Sequence, residues 1–171
     1  MVDAQTISII FAGASIGVAA IYYTLTLRNT QRAQKLQLET RQAQMFLTLF
    51  NRMLDENFAK TQRDVQWVWE WSDFEDFMVK YGPSSSENWA KFTITMMFFE
   101  GIGILVNKGI ISASLIDDFI SAMTIRIWNK YRRIIYDMRE HYNAPQTYEW
   151  VEYLYNEIKP ITEEQHPELK T

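Results

Sequence analysis

The sequence predicts an all-α protein: one N-terminal transmembrane helix continuing into a cytoplasmic helical bundle of about four to five helices. Three observations carry this prediction. Residues 6–27, TISIIFAGASIGVAAIYYTLTL, form a run of 22 residues without a charge, and about 20 apolar residues in a helix cross the hydrocarbon core of a bilayer. Downstream, apolar residues recur at steps of three and four, the period of a helix, instead of alternating as in a strand. Between Val18 and Tyr81 there is neither Gly nor Pro, so nothing forces the first helix to stop at a membrane surface.

The apolar run reads as a retained anchor. A cleavable signal peptide starts with a basic segment, whereas residues 1–5 carry only Asp3, and the run continues through Tyr22, Tyr23, Leu25 and Leu27 past any cut near Ala20. Arg28, Arg32, Lys35 and Arg41 form a basic collar after the span. Because cytoplasmic flanks are enriched in Lys and Arg, the expected topology is single-pass in the cell membrane. Residues 1–5 lie outside, 6–27 span the lipid bilayer, 28–159 form the cytoplasmic helical domain, and 160–171 form a flexible tail. No Asn-x-Ser/Thr acceptor occurs, which is compatible with a cytoplasmic domain, and the chain has no cysteine. Gly13 and Gly17 make a G-x-x-x-G face suited to close helix–helix packing. That face fits either a homo-oligomer or a foreign helix in a larger membrane complex.

Beyond the span, Leu36, Thr40, Ala43, Leu47, Phe50, Leu54 and Phe58 mark one helical face, either of a rigid stalk or of a helix packed on later ones. Trp67, Trp71, Phe74, Met78 and Tyr81 mark the next, with Trp69 turned away. Ser72 with Glu75, and Ser84 with Glu87 after the Gly82–Pro83 loop, fit capping boxes. The second of these opens a helix over 88–107. Gly109 suits a left-handed C-terminal cap, and Ser112 caps a long helix reaching His141, with Ile111 and Ile116 placed as a hydrophobic staple. A last helix over 147–158 is expected to end at Pro160.

The block Phe98-Phe99-Glu100-Gly101-Ile102-Gly103-Ile104-Leu105-Val106, then Lys108-Gly109-Ile110-Ile111, Trp128 and Arg139, resembles the domain-of-unknown-function family numbered 4760. The resemblance covers most of the chain from about Gln31 onward. It implies a small prokaryotic protein with a helical domain behind one membrane helix. It brings no catalytic residue with it.

Composition narrows the chemistry. Two histidines and no cysteine leave almost nothing for a His-centred base or a zinc site, and the pair of Glu-x-x-His motifs that a di-metal bundle needs is missing, the one such spacing, Glu163 to His166, lying in the polar tail. No metal and no cofactor are expected. Gly101-Ile102-Gly103 lacks the third glycine and the preceding strand of a nucleotide fingerprint. With 17 basic against 21 acidic residues and a net charge of -4, nucleic acid is not an expected partner. Glu100, embedded in MMFFEGIGILV, demands a partner if buried. Arg126, Arg132, Arg133 and Arg139 on the following helix are the candidates, in a buried ion pair or an anion-binding ligand site. Two functions follow from these residues. The first is a membrane-anchored interaction, scaffold or accessory-subunit module with an unidentified cytoplasmic protein partner. The second is a ligand-sensing or enzymatic domain that takes an anionic small molecule or lipid headgroup at the Glu/Arg cluster.

Overall fold

The structure, a computed structural model, describes residues 3–169; within that range the side chains of Thr6, Ile7, Ile10 and Leu169 fall outside the described set. The described residues contain six α-helices, one π-helical turn, one terminal 3-10 turn and no strand. The helices are α1 (Ala4–Leu54), α2 (Glu56–Arg63), α3 (Phe74–Tyr81), α4 (Ser86–Asn107), α5 (Ala113–His141) and α6 (Glu149–Gln165), with the π-turn at Asp64–Val68. The chain divides into two compact units, Met1–Met45 and Phe46–Thr171.

The first unit is helical from Ala4 onward, and every residue from Phe11 to Arg41 is exposed. The expected span is described only in part, since Thr6, Ile7 and Ile10 lie outside the described side chains. Over the described residues, the helix long and apolar enough to cross a membrane is α4, with 39% of its apolar window buried inside the protein.

In the second unit, α1 stops at Leu54 because Asp55 turns extended and its carboxylate accepts the Phe58 amide at 2.8 Å, capping α2. The single helical face expected from Leu36 to Phe58 crosses this break. Of that face, Leu36, Leu47 and Leu54 are exposed, Phe58 is buried, and Phe50 joins Phe46 against Phe119.

A second correction concerns the tryptophans. The Trp69 amide donates to the Asp64 carbonyl at 3.0 Å, a π-type step that adds one residue to the turn. That extra residue rotates the chain, so Trp69 is buried at 6% exposure and stacks on Tyr81, while Trp67 is 65% exposed. The cap that follows also shifts by one residue. Asp73, not Ser72, takes the Asp76 amide at 2.9 Å, and the Asp76 carboxylate returns to the Ser72 amide at 3.0 Å. Likewise α4 begins at Ser86 with Ser85 as its N-cap and without a side-chain cap bond, so the box expected at Ser84 and Glu87 does not form.

Phe77, Phe92 and Tyr131, all fully buried, bring α3, α4 and α5 together with ring centroids 5.3 to 6.1 Å apart. α6 packs along both α4 and α5. Gly109 takes the left-handed conformation expected of it (φ 64°), and Ser112 caps α5 through the Leu115 amide at 3.2 Å. Ile111 and Ile116 are fully buried, as a staple requires.

Pro160 does not end α6, which runs on to Gln165. A proline inside a helix removes one hydrogen bond, here to the carbonyl of the exposed residue Asn156. The turns beyond it are held from outside. Ile158 is fully buried, and the buried Thr162 hydroxyl donates both to the Asp117 carboxylate of α5 and, at 3.3 Å, to the Ile158 carbonyl. Replacing Pro160 by Ala therefore restores a helical amide without disturbing the core, and we expect a gain of about 2 kcal/mol in chemical unfolding. A loss of stability in P160A would show that the ring itself supports the helix.

Candidate functional site

The signature block around Glu100 builds a joint between helices. Glu100 leaves the half-buried side of α4 and reaches the first turn of α6, where its Oε2 accepts the Val151 amide at 2.9 Å and the Trp150 amide also points at the carboxylate. The α6 N-cap, Tyr148, is left-handed (φ 53°) and offers no side-chain acceptor. Glu100 thus does from α4 what an N-cap does locally, placing negative charge at the positive end of the helix dipole. One turn further along α4, Gly103 allows the helices to touch. A Cβ there would overlap the Trp150 carbonyl oxygen and lie 2.8 Å from its carbon. A Cβ on Gly101 would meet nothing within 4 Å.

The four arginines do not gather on Glu100. Arg139 is the one whose charge is felt there, yet its ion pair is with Glu152 of α6 at 2.6 Å, and its Nε donates to the Thr147 carbonyl at 2.9 Å. Arg126 lies over the Trp67 ring at 3.7 Å and donates to the Gln66 side chain at 3.4 Å. Arg133 borders a hollow shared with Asp73, Glu75, Asp137 and Glu140, an environment that disfavours anions. Arg132 opens into a groove of about 660 Å³ between α5 and α6, together with Lys159, Glu163 and His166. The expected Glu/Arg cluster is therefore dispersed. The physical reason is that backbone amides satisfy Glu100 before any guanidinium reaches it.

Two polar assemblies gave no clear sequence signal. Gln62 and Gln66, four residues apart and both buried, join through a 2.9 Å bond and reach Thr95 of α4 at 3.0 Å. Beside them, the carbonyls of the π-turn are taken by α5: Tyr131 donates to Val65 at 2.7 Å and Lys130 Nζ to Gln66 at 3.1 Å. Burial pushes the Lys130 ammonium below its usual range, with Glu70 pulling weakly the other way, and pushes the Tyr131 hydroxyl up. Tyr148 is likewise pushed up to about 12 by burial. The second assembly is the pair Asp117–Thr162. Among the described residues no three His, Asp or Glu side chains gather to hold a metal ion.

In the first unit, Gly13 and Gly17 are open on all sides, and Arg28, Arg32, Lys35 and Arg41 are exposed, with only a loose 3.9 Å contact from Lys35 to Glu39.

The profile of the family described as Domain of unknown function (DUF4760) matches residues 6–158, which takes in both the apolar run and the Glu100–Gly103 joint. The chain belongs to the DUF4760 family. No curated protein and no solved structure matches it. In this DUF4760 domain the signature glycines have opposite duties, which gives a direct test. Gly103→Ala forces α4 and α6 apart and should cost at least about 2 kcal/mol, whereas Gly101→Ala gains helix propensity, about 0.5 to 1 kcal/mol. Equal effects in thermal unfolding would show that the close approach at Trp150 is not a constraint.

Glu100 adds a pH test. Burial raises its carboxyl above the ordinary value of 4.5; the Val151 and Trp150 amides pull it down, Glu149 pushes it up and Arg139 pulls it down. A raised folded-state pKa means stability present below the unfolded value and lost as pH rises through the folded one. Relative to the non-titrating Glu100→Gln, the unmodified protein should gain melting temperature on going from about pH 7 to about pH 5. A shift in the opposite sense would show that the amides and Arg139 outweigh burial.

Proposed function

We propose that this chain is a single-pass membrane protein, anchored by residues 6–27 with its N-terminus outside, whose helical domain in the cytoplasm works by binding other proteins, as a scaffold or accessory subunit. One observation carries the anchor. Large apolar side chains project around most of the helix between Ile9 and Leu27, outside the small-residue face of Gly13 and Gly17, among them Ile9, Phe11, Ile16, Val18 and Tyr22, each 67 to 72% exposed. Burying each is worth about 1.5 to 3 kcal/mol, so together they represent well over 10 kcal/mol that water does not supply. The hydroxyls of Ser15 and Thr24 support the reading, since each donates at 2.8 Å to the carbonyl four residues back and so carries its own partner into lipid. The sign of the flanks, Asp3 before and Arg28, Arg32, Lys35 and Arg41 after, favours the N-out orientation.

The use the domain makes of its polar groups supports the interaction role. Glu100, Arg139, Glu152, Gln62, Gln66 and Asp117 are engaged in holding helices to one another. Full-length protein should resist carbonate extraction. Because the chain lacks cysteine, Gln5→Cys and Val79→Cys each introduce a single thiol. In intact cells an impermeant maleimide should label the first and spare the second; release by carbonate, or labelling of Val79→Cys alone, would overturn the anchor or its orientation respectively.

A further inference from the structure

α4 carries a second apolar face that the domain does not cover. Ala90, Ile94, Met97, Gly101 and Ile104 follow at steps of four, three, four and three, and Ile94, Met97 and Ile104 are 45%, 59% and 39% exposed. The opposite face, with Phe92, Met96, Phe99 and Ile102, is the core. The outer stripe is bounded by Glu87 at its start and Lys108 at its end, both exposed.

This stripe is complementary to itself when reversed. We propose that two copies of the chain pair through α4, antiparallel about a two-fold axis near Phe99. In that register Ile94 faces Ile104 of the partner subunit, and Met97 projects onto Gly101 of the partner subunit, each contact occurring twice, as a two-fold interface requires. The steps of three and four are those of a helix–helix seam, in which a large side chain seats into space left by the facing helix. Gly101 supplies that space: its Cβ position is empty in the single chain, so the residue costs helix propensity with no return inside the domain. The ends match as well. Glu87, which holds Lys91 at 3.2 Å on its own helix and is otherwise exposed, comes within side-chain reach of Lys108 of the partner subunit, and the reverse, whereas a parallel pairing sets Glu87 against Glu87 and Lys108 against Lys108. The pairing names a partner for the interaction module proposed above and does not depend on the orientation of its anchor.

Full-length chains in mild detergent provide the test, with no native thiol to interfere. Co-expressed Ile94→Cys and Ile104→Cys chains should form a mixed disulfide on mild oxidation, in roughly tenfold greater yield than Ile94→Cys chains alone, whose thiols lie about 15 Å apart along the axes and beyond disulfide reach. Adding Gly101→Leu to both chains should abolish the cross-link while helicity by circular dichroism is retained, because only the second copy occupies that space. Glu87→Lys should weaken cross-linking, and Glu87→Lys with Lys108→Glu should restore it. A parallel pair would cross-link Ile94→Cys alone. An α4 face lying on lipid would give the same low yield in every combination, and cross-linking that survives Gly101→Leu would point to chance collision; any of these three results overturns the proposal.

Discussion

The seating of the α6 N-terminus on α4 is the constraint on which the domain depends. α6 is the helix that packs along both α4 and α5, and it starts from a left-handed tyrosine without a cap of its own. Its position is set by an acceptor and a missing side chain one turn apart on another helix: Glu100 on its first-turn amides and Gly103 against the Trp150 carbonyl. Arg139 completes the arrangement from α5, holding Glu152 and the Thr147 carbonyl. The Phe-Glu-Gly-x-Gly block thus has a stereochemical meaning. One charged residue orients the helix, one glycine admits it, and the remaining apolar positions fill the core.

Much of this was legible in the sequence, at the level of elements. The helical period, the Gly109 turn, the Ser112 cap and the long α5 all follow from local chemistry, and the structure has them. What was misread involves competition between local and distant interactions. Phe58, Gln62, Val65 and Trp69 also keep helical spacing, and the structure buries that face; in the sequence the richer aromatic face beginning at Trp67 outweighs it, because a π-type step leaves no mark in composition. Pro160 is a strong local stop, overruled by the buried contacts of Thr162 and Ile158. Glu100 was recognised as needing a partner, but a sequence shows arginines more readily than it shows two free amides at the start of a helix.

The division of labour in the chain is equally physical. Ile9, Phe11, Ile16, Val18 and Tyr22 expose apolar side chains that the helix cannot satisfy alone, while the domain commits Glu100, Gln62, Asp117 and Thr162 to its own joints. The outer face of α4 departs from that economy. It keeps Gly101 where a Cβ would meet nothing in the single chain, which ties the residue to a surface rather than to the core.

The π-turn has a different consequence. α5 grips Asp64–Val68 mainly through main-chain oxygens, by way of Tyr131 and Lys130, so it follows the path of the backbone, and Arg126 adds contacts to the Gln66 side chain and the Trp67 ring. An exposed position in the turn such as Val68 is a replaceable letter in a word whose length is fixed: an insertion or deletion there would exchange the residue presented to the core, while a change of identity would leave the main-chain grip intact.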